Sequence, residues 1–181
     1  FFVESDGASR QEQCPAGSHA SGSGNTACAP CQAGKFASNK GMADCVRARR
    51  GHYVDAEGAT KDTACEPGEY AFGEGFSGCL AANAGYFVDE KGADHQTRCN
   101  PGEFSTGASV KCSLCEPGTS SKAGSPSCTP CPVGESSQAG SSSCEKCPAG
   151  RAKGAGPGEC IQCKQGSYAV SGASECSSAK P

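Results

Sequence analysis

Large apolar residues along this 181-residue chain form no long runs, and no window keeps them at helical spacing. They come singly, at regular distances. Phe36, Tyr53, Tyr70, Phe87, Phe104 and Tyr168 each stand two places after a glycine: Gly34, Gly51, Gly68, Gly85, Gly102 and Gly166. Six or seven residues separate such a glycine from the closing turn region. That length admits one short strand on each side of a turn, so the pattern predicts a series of small two-stranded ribbons and no helix.

These positions define a repeat, and its register organises the rest of the sequence. Repeats begin at Cys14, Cys31, Ala48, Cys65, Ala82, Cys99, Cys115, Cys131, Cys147 and Cys163, spaced 17 residues apart up to Cys99 and 16 thereafter. Glycine follows every start by three residues, including Gly17, Gly118, Gly134 and Gly150, where His19, Ser120, Ser136 and Ala152 replace the aromatic. A glycine at so fixed a place implies positive φ or a close approach of neighbouring chain. The aromatic is expected to pack on the neighbouring repeat's disulfide.

The apolar inventory is small: 7 Val, 7 Phe, 4 Tyr, 2 Leu, 1 Ile, 1 Met and no Trp. Backbone ordering costs about 1 to 2 kcal/mol per residue, and burial returns about 25 cal/mol per Å² of apolar surface. A core of this size cannot hold 181 residues. The sixteen cysteines can, and their density is that of a disulfide scaffold made in an oxidising compartment.

The repeats also indicate how the cysteines pair. Where a repeat starts with Ala48 or Ala82, the place fourteen residues on holds Asp62 or Gln96, so both cysteines are lost together. Paired loss points to bonding within a repeat: Cys14 with Cys28, Cys31 with Cys45, Cys65 with Cys79, Cys99 with Cys112, Cys115 with Cys128, Cys131 with Cys144, Cys147 with Cys160, and Cys163 with Cys176. The rival scheme joins Cys28 to Cys31 and the four similar CxxC pairs, and leaves six cysteines without a common rule. Each within-repeat bridge would contribute about 3 kcal/mol in the loop-entropy model.

The expected organisation is therefore a disulfide-rich, solenoid-like rod with little hydrophobic core. Residues 1–47 hold a partial Ala-type repeat and two Cys-type repeats; 48–98 hold an Ala-type, a Cys-type and an Ala-type repeat; 99–178 hold five Cys-type repeats; 179–181 begin a further Ala-type repeat. The partial repeats at the two ends complement each other in register. The expectation is one period, or nearly one, of a chain or assembly continuing head to tail.

The formal net charge is −3 and the 16 basic residues are scattered, giving no electrostatic footprint for nucleic acid or an anionic membrane. No apolar run approaches the roughly 18 residues of a membrane span.

"CEPGTSSKAGSPSCTPCPVGESSQAGSSSCEKCPAG" (115–150) closely resembles the ephrin-receptor-like cysteine-rich repeat, and less closely the first segment of tumour necrosis factor receptor modules. The likeness is strong from Cys99 to Cys176, fair from Cys14 to Cys45, and weaker in the Ala-type repeats, whose "GYFVDEKGADHQTRC" form is similar to a variant in large microbial surface proteins. The resemblance implies an extracellular rod of small disulfide-bonded units with short ribbons, used in surface proteins and receptors, and no enzyme activity. The six-cysteine receptor module is missing, so ligand binding of that type is not implied.

Other chemistry is weakly supported. The five CxxC pairs could grip zinc as thiolates, but their number is odd for four-cysteine sites and the joint loss of cysteines spans a repeat. Glu4 and Asp6, Asp55 and Glu57, and Asp89 and Glu90 are calcium candidates without an EF-hand pattern; the better reading is a solvated charged face. His19, His52 and His95 have no recurring Ser or carboxylate partner and read as exposed loop histidines. No Asn-x-Ser/Thr sequon occurs, and serines between Thr119 and Ser143 read as exposed turn residues or O-glycan acceptors. No cofactor is expected. The expected function is a non-enzymatic extracellular fibre, stalk or surface coat whose partner is itself; the alternative is a receptor or adhesin ectodomain holding a protein or glycan along the side of the rod.

Overall fold

The computed structural model describes residues 12–22 and 27–178. Among them every regular element is a two-residue strand, paired antiparallel with its partner in the same repeat, giving ten ribbons and no helix. The chain is thus a disulfide-rich tandem repeat of short ribbons. Glu4, Asp6 and the 179–181 segment lie outside the described residues.

The repeat glycine is what starts each ribbon. In the repeat opening at Cys31, Lys35 N–H donates to the Gln32 carbonyl at 3.0 Å, and Gly34, at the third place of that turn, has φ +86°. This is the turn geometry that favours glycine at its third position. The chain then runs as Lys35–Phe36, turns, and returns as Val46–Arg47, with Phe36 opposite Val46.

By its contacts the chain divides into two compact units, residues 1–82 with 88–96, and residues 83–87 with 97–181. In the first, three backbone hydrogen bonds join each repeat to the next. Gly34 N–H donates to Val54 O at 2.7 Å, Ala48 N–H returns a bond to Gly34 O at 2.8 Å, and Gly58 N–H reaches Cys31 O at 2.8 Å. The same set recurs at Gly17, Gly51 and Gly68. Between these bonds lies a buried file of small side chains: Cys14, Ala20, Cys31, Ala37, Ala48, Val54, Cys65, Ala71, Ala82 and Val88. The interior is mostly bonded backbone, which is why so few large apolar residues suffice.

Contact also extends two repeats along. A Cβ built on Gly34 would collide with the backbone carbonyl oxygen of Gly75, and one on Gly51 with that of Gly92. Positive φ and a close backbone approach therefore both require the glycine. Side-chain stems from a third position cover the outer glycine: Arg47 Cδ lies 3.7 Å from the place a Gly75 Cβ would take, its charged end remaining exposed in the usual way of long basic residues.

The second unit repeats the bond set, with Gly102 N–H donating to Ser121 O at 2.9 Å, Cys115 N–H to Gly102 O at 2.9 Å and Gly124 N–H to Cys99 O at 2.9 Å. Its buried file is more polar. Ser105 Oγ donates to Tyr86 O at 2.6 Å, Ser121 Oγ to Glu103 O at 2.9 Å, and the half-buried Ser137 Oγ to Thr119 O at 2.7 Å. At the same register stands Lys153, 5% exposed. Its ammonium donates to Cys131 O at 3.3 Å, filling the role that Gly124, Gly140 and Gly172 N–H groups fill at Cys99, Cys115 and Cys147.

Candidate functional site

All described cysteines are bonded, each start to the close of its own repeat. The first unit contains Cys14–Cys28, Cys31–Cys45 and Cys65–Cys79. The second contains Cys99–Cys112, Cys115–Cys128, Cys131–Cys144, Cys147–Cys160 and Cys163–Cys176. With the sulfurs so bonded, no CxxC pair offers two thiolates to a metal. The start cysteines from Cys14 to Cys147 are buried, Cys31 for example 0% exposed, while Cys163 is half-buried. The closing cysteines from Cys28 to Cys160 are half-buried and Cys176 is exposed; Cys45, Cys128 and Cys160 line surface grooves.

Without a disulfide, the Ala48 repeat is closed by Asp62. Its carboxylate accepts from Arg49 N–H at 3.3 Å and pairs with the Arg49 guanidinium at 3.3 Å. The sequence shows that the cysteines are missing there, but not that an ionic closure replaces them. More pairs follow in the same unit: Lys91 with Glu66, Arg50 with Asp94 at 3.0 Å, and His95 with Asp94 at 2.7 Å. The His95 hydrogen bond, and less strongly the Arg50 charge, hold Asp94 below the usual aspartate range against an opposing desolvation effect.

Two of the three histidines depart from the loop reading. His19 and His52 lie on ribbon strands, Ser18–His19 and His52–Tyr53, and are half-buried, because the register places them beside the leading turn. His52 Nδ1 lies 3.2 Å from Arg50 O. His95 is exposed. His19 Nδ1 lies 3.1 Å from Ala29 O and 3.1 Å from Cys45 Sγ. His19 thus occupies the aromatic register and meets the disulfide of the following repeat. Ser120 in the same register meets Cys144 Sγ at 3.5 Å, and Phe104 shares a groove with Cys128.

Among the described residues, one group of potential metal ligands converges: His19, Cys31 and Cys45, with ligand atoms all within 4.8 Å of one another. Asp55, Glu57, Asp89 and Glu90 are exposed and belong to no such group. The serine-rich stretch divides. Thr119 and Ser121 are buried and bonded to carbonyls, whereas Ser142 and Ser143 are exposed beside a polar groove of about 450 Å³ lined also by Gln138 and Glu145. Among the described residues no helix is long and apolar enough to cross a membrane.

No protein-family model matches the chain, and a search of characterised proteins returns no match.

Proposed function

We propose that the chain is a non-enzymatic structural segment of an extracellular fibre, stalk or surface coat, built as a rod of stacked repeats. The observation that carries this reading is the recurrence of one bond set. From Gly17 to Gly150, each leading glycine donates to the following repeat and accepts from its first residue. A set of contacts that is the same at every step extends by adding more of the same, as in other one-dimensional repeat proteins. A further copy, covalently in tandem or as a separate subunit, would add by those contacts.

Supporting points are the eight disulfides, which fit an oxidising compartment, and the resemblance to ephrin-receptor-like repeats. The test is small-angle scattering from one copy and from a two-copy tandem, both folded under oxidising conditions. The expected result is a rod whose length about doubles while its cross-section stays constant. A compact particle, or a discrete partner retained by one repeat in a pull-down from extracellular material, would contradict the structural reading and favour a receptor or adhesin.

A further inference from the structure

We propose that His19, Cys31 and Cys45 form a reduction-gated metal site: the Cys31–Cys45 disulfide is the first to yield to a dithiol, and the opened pair with His19 takes a thiophilic divalent cation such as zinc.

The geometry assembles the site before any metal arrives. One ring nitrogen of His19 and the two sulfurs lie within 4.8 Å of one another, so once the sulfurs separate on reduction a cation seated among them has all three donors at hand for bond lengths of about 2.0 to 2.3 Å. Three protein ligands leave the fourth tetrahedral position to water. Access is one-sided. Cys31 is fully buried, while Cys45 opens onto a groove of about 330 Å³ lined by His19, Lys35 and Asp44 among others. Attack therefore falls on Cys45.

His19 also explains why this bridge opens before the others. The Ala29 carbonyl at 3.1 Å can only accept, which places a proton on Nδ1. That N–H also faces Cys45 Sγ at 3.1 Å, where it stabilises the Cys45 thiolate released when the mixed disulfide resolves. Stabilising the reduced form shifts the exchange equilibrium towards the dithiol. At the same register other repeats carry Tyr53, Phe87 and Phe104, which bring no N–H, or Ser120, a hydroxyl at 3.5 Å from Cys144 Sγ.

The reaction balances with a dithiol as reductant. One of its thiolates attacks Cys45 Sγ and Cys31 leaves as a thiolate, forming a mixed disulfide. The second dithiol sulfur then displaces Cys45 and closes the oxidised cyclic product. Two electrons and two protons pass to Cys31 and Cys45. Metal binding releases the two thiol protons, and the imidazole stays neutral as its proton moves from Nδ1 to Nε2.

The test equilibrates the whole chain with graded dithiothreitol, traps free thiols by alkylation and maps them by peptide mass. The reduced fraction of Cys31–Cys45 should exceed the mean of the other seven bridges by about tenfold. His19→Phe, which installs a residue the repeat already uses at Phe36, should remove that excess, and His19→Ser should leave part of it. Cobalt(II) added to the selectively reduced wild type should give one equivalent of thiolate-to-cobalt charge transfer. Another bridge opening first, an excess unchanged in both variants, or a selectively reduced protein without the cobalt band would each overturn the proposal.

Discussion

In the first compact unit the repeat from Ala48 to Ala64 closes through Asp62 and Arg49, while in the second unit every repeat from Cys99 onward closes through a disulfide. The buried files differ in parallel. The first alternates Cys or Ala with Ala and Val; the second carries Ser105, Ser121 and Lys153 at the places of Ala37, Val54 and Ala71. Yet the two bonds of each leading glycine, its N–H to the following repeat and its carbonyl from that repeat's first residue, are the same in both. The lattice of glycine N–H and C=O groups is therefore the constant of this fold, and the closure and the buried file are interchangeable fittings. A serine is tolerated inside because its hydroxyl brings a donor to a carbonyl within reach, and a buried polar group so paired carries little penalty; Lys153 likewise supplies a donor to Cys131 O.

That comparison breaks most severely at the lattice itself. Gly34→Ala in the first unit and Gly102→Ala in the second each force a Cβ against a carbonyl, of Gly75 and of Gly140 respectively, at φ values of +86° and +83°. Both should lose about 3 kcal/mol or more, seen in chemical denaturation as comparable losses in the two units. A large loss in only one unit would mean that the lattice is not shared.

Exchanging the closures comes next. Ala48→Cys with Asp62→Cys should form a ninth bridge, read by mass under non-reducing conditions, and raise stability by up to about 3 kcal/mol. Removing Cys115 and Cys128 together as alanines should cost about as much. A smaller effect is expected from Lys153→Met, which keeps the stem and removes the donor to Cys131 O. The bare carbonyl should cost about 1 kcal/mol; a gain in stability would show that the lysine is held at a loss.

The smallest effect is a pH dependence at Asp94, in the first unit. Asp94 is depressed in the folded state, so its contribution is present above the ordinary aspartate value and disappears as pH falls through the lowered folded one. The stability difference between wild type and Asp94→Asn should accordingly shrink below about pH 4. A difference that stays constant across that range would contradict the assignment.

The ribbon, the repeat register and the special glycine at positions such as Gly34 were legible because each is local. One turn and one periodic residue type announce them. The collision partner of Gly34 was not, since Gly75 lies two repeats away and nothing in either segment marks the pairing. The buried file was missed for a related reason: Ala, Val, Ser and Lys share no chemical class, and only their common distance from the start residue could have exposed them. Lys153 reads as an ordinary surface lysine until its ammonium is found at Cys131 O. His19 looks like a mere substitution in the aromatic register, and its meaning depends on Cys45, twenty-six residues away.

The central claim is that each cysteine-bearing repeat is closed on itself by its own disulfide and is joined to its neighbour by hydrogen bonds, with no covalent cross-link between repeats. Mass spectrometry of unreduced peptides from the folded chain tests it most directly, with cleavage on both sides of each CxxC. The account predicts bridges such as Cys99–Cys112 and Cys115–Cys128 and no cysteine shared between repeats. A bridge between Cys112 and Cys115, or any link from one repeat to the next, would contradict it.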